Sequence, residues 1–367
     1  MAFAQPLSLQ MLVGDVDKFA RECWGQRPMV RHTDQRFDEL LSVDDVEDCI
    51  DGALRRPGFR MVRDGESLPD EAVTMRMRLG GRDIDDVADP ESVAHAFAQG
   101  ATVVLQGLDR FWQPMITFAA AIEAELGHPV QVNAYLSPPD AKGLGQHTDE
   151  HDVLVLQTEG RKRWWVDGLG DIELRPGSVV YIPADTLHRA HTDRDASLHL
   201  TVGIFPITMR QVVQRSLSEI VELDRPLPPV TATTAVEATL ADALHAAAES
   251  LSSRDVRTVA TGAFAGSLAG RRRPTRGQLR SLVALPDLDG ATTIRFRAGV
   301  ALEADDDGIT MRTKTGELHV PPLAVPAVEA VAKGAVMRVD ELPGLDPESQ
   351  LVLARRLVRE RLAVIVP

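Results

Sequence analysis

The sequence predicts an α+β protein in which helices flank a β-rich region and a smaller α/β region follows. Up to residue 126, apolar residues recur at helical spacing in segments that begin with capping residues and end at glycine. From 129 to 205, short β-branched runs alternate with turn signals, a pattern typical of a β-sandwich or barrel. After Pro206 the helical period returns. A chain of 367 residues is long enough for two or three domains.

Composition restricts the kind of protein and its surroundings. The formal net charge of -14 disfavours a general nucleic-acid or anionic-membrane binder, which would be basic. Two cysteines, Cys23 and Cys49, are too few for a cysteine-built zinc site or a disulfide framework, and they suit a reducing compartment. The sequence shows neither a secretory signal nor an apolar run of about 18 residues. We therefore expect a cytoplasmic protein with no membrane partner.

Local signals define the predicted elements of the N-terminal half. Ser42 precedes an acidic turn and Asp89 precedes Pro90, and both patterns indicate helix starts. Gly100 and Gly127 indicate helix ends. These signals predict helices at 15–24, 42–50, 90–99 and 111–126 and a strand at 102–106, whereas 56–85 has no clear pattern.

The remaining elements follow from periodicity and turn residues. In the β-rich region, strands are predicted at 130–135, 147–157, 161–167, 172–174, 178–182 and 197–202. Farther on, helices are predicted at 208–223 and 234–251, on either side of the Pro-rich 225–229. Beyond a basic boundary at 271–276, a small α/β domain is predicted from strands at 292–296, 308–312 and 363–366 and helices at 323–333 and 346–361.

The first chemical signal is the motif His147-x-Asp149. If this run is a strand, the two residues project from the same face. An imidazole and a carboxylate so placed are two of the three ligands of the 2-His-1-carboxylate triad that holds non-haem Fe(II). The same residues also fit a solvated acidic loop, because Glu150, His151 and Asp152 extend the charged run.

Two downstream histidines are candidates for the third ligand. His188 follows a predicted strand and a proline-bearing loop, at the point where a barrel strand would resume. His191 lies three residues farther on, so the two would face opposite sides of a strand. We favour His188 and expect His151 and His191 to lie outside the ligand set.

The segment Arg161-Lys162-Arg163 supplies a cation. Iron oxygenases of this type hold the far end of a dicarboxylate co-substrate with a positive charge. Alternation along the next predicted strand sends Lys162 to one face and both arginines to the other. An exposed basic strand, balanced by nearby acids, is the other interpretation of this segment.

Taken together, these motifs resemble the JmjC/cupin-4 family of 2-oxoglutarate-dependent oxygenases, and most closely its ribosomal-oxygenase group. The resemblance covers about residues 10–210 well. The matching segments are Asn133-Ala134-Tyr135-Leu136-Ser137-Pro138-Pro139, His147-x-Asp149, Val155-Leu156-Gln157-x-Glu159-Gly160-x-Lys162-x-Trp164, Pro176-Gly177-Ser178-Val179-Val180-Tyr181-Ile182-Pro183, Leu187-His188-x-Ala190 and Ser197-Leu198-His199-Leu200-Thr201-Val202.

The resemblance implies a domain organisation. Residues 1–207 would form N-terminal helices and a double-stranded β-helix, the JmjC/cupin barrel. Residues 208–270 would form a helical dimerisation region, and 271–367 a winged-helix-like C-terminal domain. The protein would then be a homodimer.

The resemblance also implies a ligand set. Fe(II) would be bound by His147, Asp149 and His188, and Lys162 would pair with the distal carboxylate of 2-oxoglutarate. The same pocket would be lined by Asn133 and Tyr135, which would hydrogen-bond the co-substrate. Two positions depart from relatives: Thr148 stands where many have Tyr, and Gly203 where some have Ser. These departures leave the co-substrate and substrate contacts on that side open.

The implied activity is a dioxygenase that hydroxylates a protein side chain, an Arg or His of a ribosomal protein. The acidic charge suits a basic substrate. One alternative is the same chemistry on a peptide natural product or small molecule. Another is a non-catalytic, dimeric JmjC-like binding module, and histone-type demethylation is a less favoured third.

Overall fold

The structure, a computed structural model, describes residues 7–143, 145–229, 231–256, 259, 262–264, 277–297, 301–305, 307–313, 316–332 and 336–366. The chain forms two compact units, Met1–Pro206 and Ile207–Pro367. In the described residues, no helix combines the length and apolar character needed to cross a membrane. The basic boundary predicted at 271–276 lies outside the described residues, so the division of the second part at 270 stays a prediction.

The first unit mixes short helices with many strands. Its helices are α1 (Leu9–Val13), α2 (Val16–Glu22), α3 (Val43–Asp51), α4 (Pro90–Ala98) and α5 (Gln113–Leu126). Its strands are β1 (Met29–His32), β2 (Phe59–Arg63), β3 (Glu66–Ser67), β4 (Thr74–Leu79), β5 (Arg82–Ala88), β6 (Thr102–Leu105), β7 (Val130–Ser137), β8 (Asp152–Gly160), β9 (Lys162–Val166), β10 (Gly170–Leu174), β11 (Ser178–Ile182), β12 (His188–His191) and β13 (Ser197–Ile204).

The predicted N-terminal helices are confirmed, and their ends follow from capping. Ser42 and Asp45 form a reciprocal capping box at the start of α3. Asp15 accepts a hydrogen bond from the backbone of Lys18 at the start of α2. Gly127 ends α5 in the left-handed region, at φ 71°, where glycine carries no steric penalty.

Two antiparallel sheets build the β-rich region. The larger has the order β1-β11-β8-β13-β7-β6-β2-β3, and the smaller has the order β10-β9-β12. A cavity is lined by residues from both sheets. This arrangement is the double-stranded β-helix, so the barrel predicted from the sequence is confirmed.

Strand β8 is buried on both faces of the larger sheet. Val153 and Val155 pack with Trp164 on the barrel side. Leu154 and Leu156 pack in the core that includes the N-terminal helices. A strand that is covered on both faces has a continuous run of apolar residues rather than an alternating pattern. This explains the apolar run in the sequence of β8.

The strand predicted at 147–157 is wrong at its start. Strand β8 begins at Asp152, where its pairing with β13 and β11 begins, so His147 and Asp149 lie in the connection that precedes it. The segment at 56–85, which had no clear pattern, forms β2, β3, β4 and the start of β5. Strand β4 could not be predicted from the sequence, because its side chains are exposed or half-buried and show no apolar alternation.

The second unit has its own core. Its helices are α6 (Met209–Ser218), α7 (Thr233–Ser253), α8 (Gln278–Ala284), α9 (Val325–Ala332) and α10 (Pro347–Arg359), and its strands are β14 (Thr293–Phe296), β15 (Ala301–Asp305), β16 (Gly308–Thr313), β17 (Gly316–Val320), β18 (Met337–Arg338) and β19 (Ala363–Val366). The sheets have the orders β18-β14-β19 and β15-β16-β17. A cluster of buried apolar side chains joins α9 and α10 to these strands. The winged-helix assignment and the dimerisation role of 208–270 stay predictions.

Tyr181 provides a test of how the N-terminal helices are fixed to the barrel. Its fully buried hydroxyl donates to Asp152 Oδ2 at 2.6 Å and accepts from the backbone N–H of Gly25 at 2.7 Å. We expect Tyr181→Phe to lower the unfolding free energy by about 1–3 kcal/mol, because the buried carboxylate of Asp152 and the backbone N–H of Gly25 each lose a partner. Urea unfolding measures this loss. Thr74→Val, which removes an exposed hydroxyl, is the control and should cost about 0.5 kcal/mol or less. Equal midpoints for Tyr181→Phe and the wild type would contradict the expectation.

Candidate active site

Three side chains form a cluster with the chemistry of a metal site. Within the described part of the chain, ligand atoms of His147, Asp149 and His188 all lie within 4.8 Å of one another. The Asp149 carboxylate lies 3.9 Å from His147 Nε2 and 3.6 Å from His188 Nε2. The cluster therefore brings together the three predicted ligands.

Backbone pairing brings the two histidines together. The N–H of His147 donates to the carbonyl of His188, and the N–H of His188 donates to the carbonyl of His147, both at 3.0 Å. The N–H of Asp185 donates to the carbonyl of Asp149 at 2.8 Å. Strand β12 begins at His188 and pairs with β9 of the smaller sheet, so the bridge joins the connection before β8 to that sheet.

Hydrogen bonds to carbonyl oxygens fix how both imidazole rings face the cluster. His147 Nδ1 lies 2.8 Å from the Gly145 carbonyl, and His188 Nδ1 lies 2.9 Å from the Thr186 carbonyl. A carbonyl only accepts, so each Nδ1 carries a proton, and the neutral form of each ring has its lone pair on Nε2. Burial lowers the pKa of His188, which favours the neutral form that a metal requires. Two imidazoles and one carboxylate fit a divalent cation with positions left open.

The two remaining candidate histidines lie outside the cluster. His191 is exposed and lies 3.5 Å from Asp193, on the opposite side of β12 from His188, as alternation predicts. His151 stacks on Phe205, with ring centroids 4.8 Å apart. His151 nevertheless lines the same cavity as the cluster.

Lys162 is a buried cation in this cavity of about 290 Å³. It is only 4% exposed, and its Nζ donates to Ser137 Oγ at 2.9 Å. In the described ranges, no carboxylate lies within ion-pairing distance of it. Burial lowers the pKa of Lys162 to about 7. The neighbouring Arg163 is exposed and pairs with Asp193, so the predicted alternation of this strand is observed.

Two further polar atoms are buried beside Lys162 without a hydrogen-bond partner. They are His199 Nδ1 and Trp164 Nε1. His199 stacks on Tyr135 at 5.0 Å and meets Trp164 edge-on at 5.5 Å. Burial, and secondly the charge of Lys162, hold the pKa of His199 well below its usual range. A buried polar atom without a partner costs about 1–3 kcal/mol, so these atoms indicate a place for a polar ligand.

Asn133 and Tyr135 project from β7 into the same cavity. Asn133 Oδ1 accepts from the backbone N–H of Gly107 at 2.9 Å and from Gln131 Nε2 at 3.2 Å, so its amide nitrogen is left for a ligand. The Tyr135 hydroxyl hydrogen-bonds to Thr201 and Arg60, and burial raises its pKa.

All six residues selected from the sequence thus line one cavity. Sequence reasoning did not assign a role to Arg60, Ser137, Trp164 or His199. The signal was present for the last three, because Ser137 follows Tyr135 on alternate positions of β7, Trp164 follows Lys162 on β9, and β13 pairs His199 with Tyr135. Arg60 lies in the segment whose pattern was not recognised.

Comparison with known proteins agrees with this geometry. Residues 109–170 and 166–212 match the family model of the JmjC domain, the family that the motifs resemble. Among solved structures, the chain resembles the Escherichia coli ribosomal oxygenase YcfD in complex with cobalt and 2-oxoglutarate. The TM-score is 0.59 and the identity 18%, over 97% of this chain and 99% of that one. This likeness shows a shared fold.

Two relatives with sequence similarity to the chain are a ribosomal oxygenase and a protein named as both a demethylase and a hydroxylase. The chain is 27% identical to ribosomal oxygenase 2 of Rattus norvegicus over 222 residues, which are 52% of this chain and 45% of that protein. It is 27% identical to the bifunctional lysine-specific demethylase and histidyl-hydroxylase NO66 of Drosophila persimilis over 175 residues, 39% of this chain and 26% of that protein. The chain therefore spans less than half the length of either relative.

The buried Lys162 predicts a pH dependence of stability. Its pKa is about 7 in the folded protein and near 10.5 when exposed, so between these values the unfolded chain binds more protons. Stability should therefore rise with pH through this window, by up to about 1.4 kcal/mol per pH unit, and be lowest below pH 7. We expect Lys162→Met to abolish this contribution, measured as the difference between wild type and variant in urea unfolding. A difference that stays constant from neutral to alkaline pH would contradict the burial of an uncompensated amine.

Proposed function

We propose that this JmjC-domain protein is an Fe(II)- and 2-oxoglutarate-dependent dioxygenase that hydroxylates a protein side chain. The observation that carries the proposal is the joint presence, in one cavity, of a two-histidine, one-carboxylate cluster and a buried lysine that pairs with no described carboxylate. A metal and a dicarboxylate together satisfy both features. Neither feature alone supports the activity as well.

His147, Asp149 and His188 would hold the iron. Their fit rests on the donor set: both Nε2 atoms carry lone pairs because both Nδ1 atoms donate to carbonyls. Iron and 2-oxoglutarate, when bound, supply the oxygen activation and redox chemistry that no side chain can provide. The chain's part is to hold three ligands in fixed orientation and leave the remaining positions to the co-substrate and oxygen.

Lys162 would hold the distal carboxylate of 2-oxoglutarate. An arriving carboxylate raises the pKa of the amine, so Nζ keeps its proton in the complex. Ser137 orients Nζ through the hydrogen bond at 2.9 Å. Asn133 and Tyr135, which line the same cavity, would donate to the co-substrate.

The proposed substrate is an Arg or His side chain of a ribosomal protein. The names of the relatives support a ribosomal target, and one of them is named a histidyl-hydroxylase. The net charge of -14 is complementary to basic ribosomal proteins. We further propose a cytoplasmic homodimer, joined through 208–270, with no nucleic-acid partner.

The metal site is tested by paired histidine substitutions. We expect His188→Ala to weaken Fe(II) or Co(II) binding by at least about 100-fold, because one of three protein ligands is lost. His191→Ala removes an exposed imidazole outside the cluster and should bind metal as the wild type does. Calorimetric titration with Co(II) measures both. The reverse order of effects would refute the ligand assignment.

Co-substrate binding should depend on pH through Lys162. Binding favours the protonated amine, whose pKa in the free protein is about 7. The affinity for 2-oxoglutarate should be constant just below pH 7 and should fall by up to about tenfold per pH unit above it. The fall should end at the higher pKa that Lys162 has in the complex. Calorimetry with Mn(II) in buffers of different ionisation enthalpy should detect proton uptake on binding. The Lys162→Met variant should bind 2-oxoglutarate weakly at every pH. A wild-type affinity that does not change with pH would contradict the role of the amine.

The activity itself is tested by succinate formation and mass spectrometry. Purified protein with Fe(II) and 2-oxoglutarate should form succinate, and ribosomal proteins should gain the mass of one oxygen atom only in cells that carry the gene. Succinate without a ribosomal change would favour a peptide natural product or small molecule. The absence of both 2-oxoglutarate binding and turnover would favour the binding module.

A further inference from the structure

The cavity has an end that neither the cluster nor Lys162 occupies. Along β7, Gln131, Asn133, Tyr135 and Ser137 line the cavity, and the six residue steps from 131 to 137 span about 20 Å. Lys162 is bonded to Ser137 at one end. At the other end, Gln131 pairs with Gly203 of β13. This second end also includes His151 and Phe205.

Gly203 creates the space in which the imidazole of His151 lies. A Cβ at position 203 would lie 2.6 Å from His151 Nε2 and 2.9 Å from its Cδ2. No side chain fits at that distance, so the ring occupies the space that glycine leaves. The ring is also stacked on Phe205, with an interplanar angle of 15°.

His151 therefore faces the cavity in a defined position. Residues 147, 149 and 151 all line it, whereas Thr148 and Glu150, between them, are exposed. Phe205 is 42% exposed, so this end of the cavity opens toward solvent. A substrate side chain that reaches the metal cluster from solvent by this route passes the His151–Phe205 pair.

We propose that His151, seated on Gly203 and stacked with Phe205, is a specificity-determining residue that stacks on the substrate side chain beside the metal cluster. The ligand class is a planar, delocalised side chain, because guanidinium and imidazole groups lie flat against an aromatic ring, whereas an alkylammonium is a compact, strongly hydrated charge with no flat face to stack. This inference rests on the proposed function, since it takes the other end of the cavity to be filled by metal and co-substrate.

Gly203 acts through His151 in this arrangement. A serine side chain at 203 would displace the imidazole, so Gly203→Ser should reproduce the effect of His151→Ala. The double variant should lose no more than either single variant, because both remove the same contact.

The experiment uses paramagnetic relaxation by Mn(II) in the full chain with 2-oxoglutarate bound. The probes are the capped tripeptides Gly-Arg-Gly, Gly-His-Gly and Gly-Lys-Gly, whose side-chain proton relaxation reports proximity to the metal. We expect enhanced relaxation of the arginine or the histidine peptide over the lysine peptide. That enhancement should fall about fivefold in His151→Ala and in Gly203→Ser, as loss of one stacking contact implies. His191→Ala, the same deletion on an exposed histidine, should retain it.

The outcomes separate this inference from the proposed function. Equal relaxation of all three peptides, no enhancement for any of them, or an unchanged enhancement in His151→Ala would overturn the role of His151. Two measurements without peptide report on the proposed function: binding of 2-oxoglutarate to the Mn(II)-loaded protein, and formation of succinate by the same protein loaded with Fe(II) instead. If these persist while the peptide result is negative, only the substrate-contact inference fails. If they are absent, the proposed function fails first.

Discussion

The paired backbone hydrogen bonds between His147 and His188 are the constraint on which the site depends. One residue lies in the connection before β8 and the other begins β12, so the bridge joins segments associated with different sheets. Each imidazole is oriented within its own segment, by the carbonyl two residues earlier, of Gly145 or of Thr186. Orientation is therefore local, while the bridge sets the separation of the rings. Asp149 lies two residues from His147, so the same bridge also places its carboxylate in the cluster. No contact of Asp149 with a third segment is needed.

The remainder of the cavity is built from polar groups that the fold buries without full compensation. Lys162, His199 and Trp164 project from strands β9 and β13, whose backbones are fixed by pairing, so they cannot turn away to reach water. An unpaired buried group destabilises the free protein, and a ligand that satisfies it is bound more tightly for the same reason. The rigid strands thus hold these donors, even in the free protein, in an arrangement that suits an anionic ligand.

The barrel, and the clustering of the candidate metal ligands in it, were predictable from sequence where a local pattern had a single geometric meaning. Capping at Ser42, alternation at Lys162 and the odd spacing of His188 and His191 belong to this class. His147 and Asp149 were predicted to lie on a strand, but they lie in the connection before β8. They come close to His188 through the bridge between His147 and His188, which no local sequence pattern encodes. Arg60 was missed for a similar reason, and His151, correctly placed outside the ligand set, was not predicted to line the cavity. Their relation to the cavity depends on which strands become neighbours, and for His151 on the absence of a side chain at Gly203.

Strand β8 has a consequence for how such a protein can diversify. Val153 and Val155 face the barrel interior while Leu154 and Leu156 face the helical core, so a substitution at any of them disturbs one of two packed layers. Substitutions are therefore tolerated poorly along this strand. His151, just before β8, and Phe205, just after β13, belong to neither buried layer, so an exchange at either position leaves both layers packed. Under the proposed function, variation at these two positions would change the side chain that the cavity accepts while the metal-binding cluster is retained.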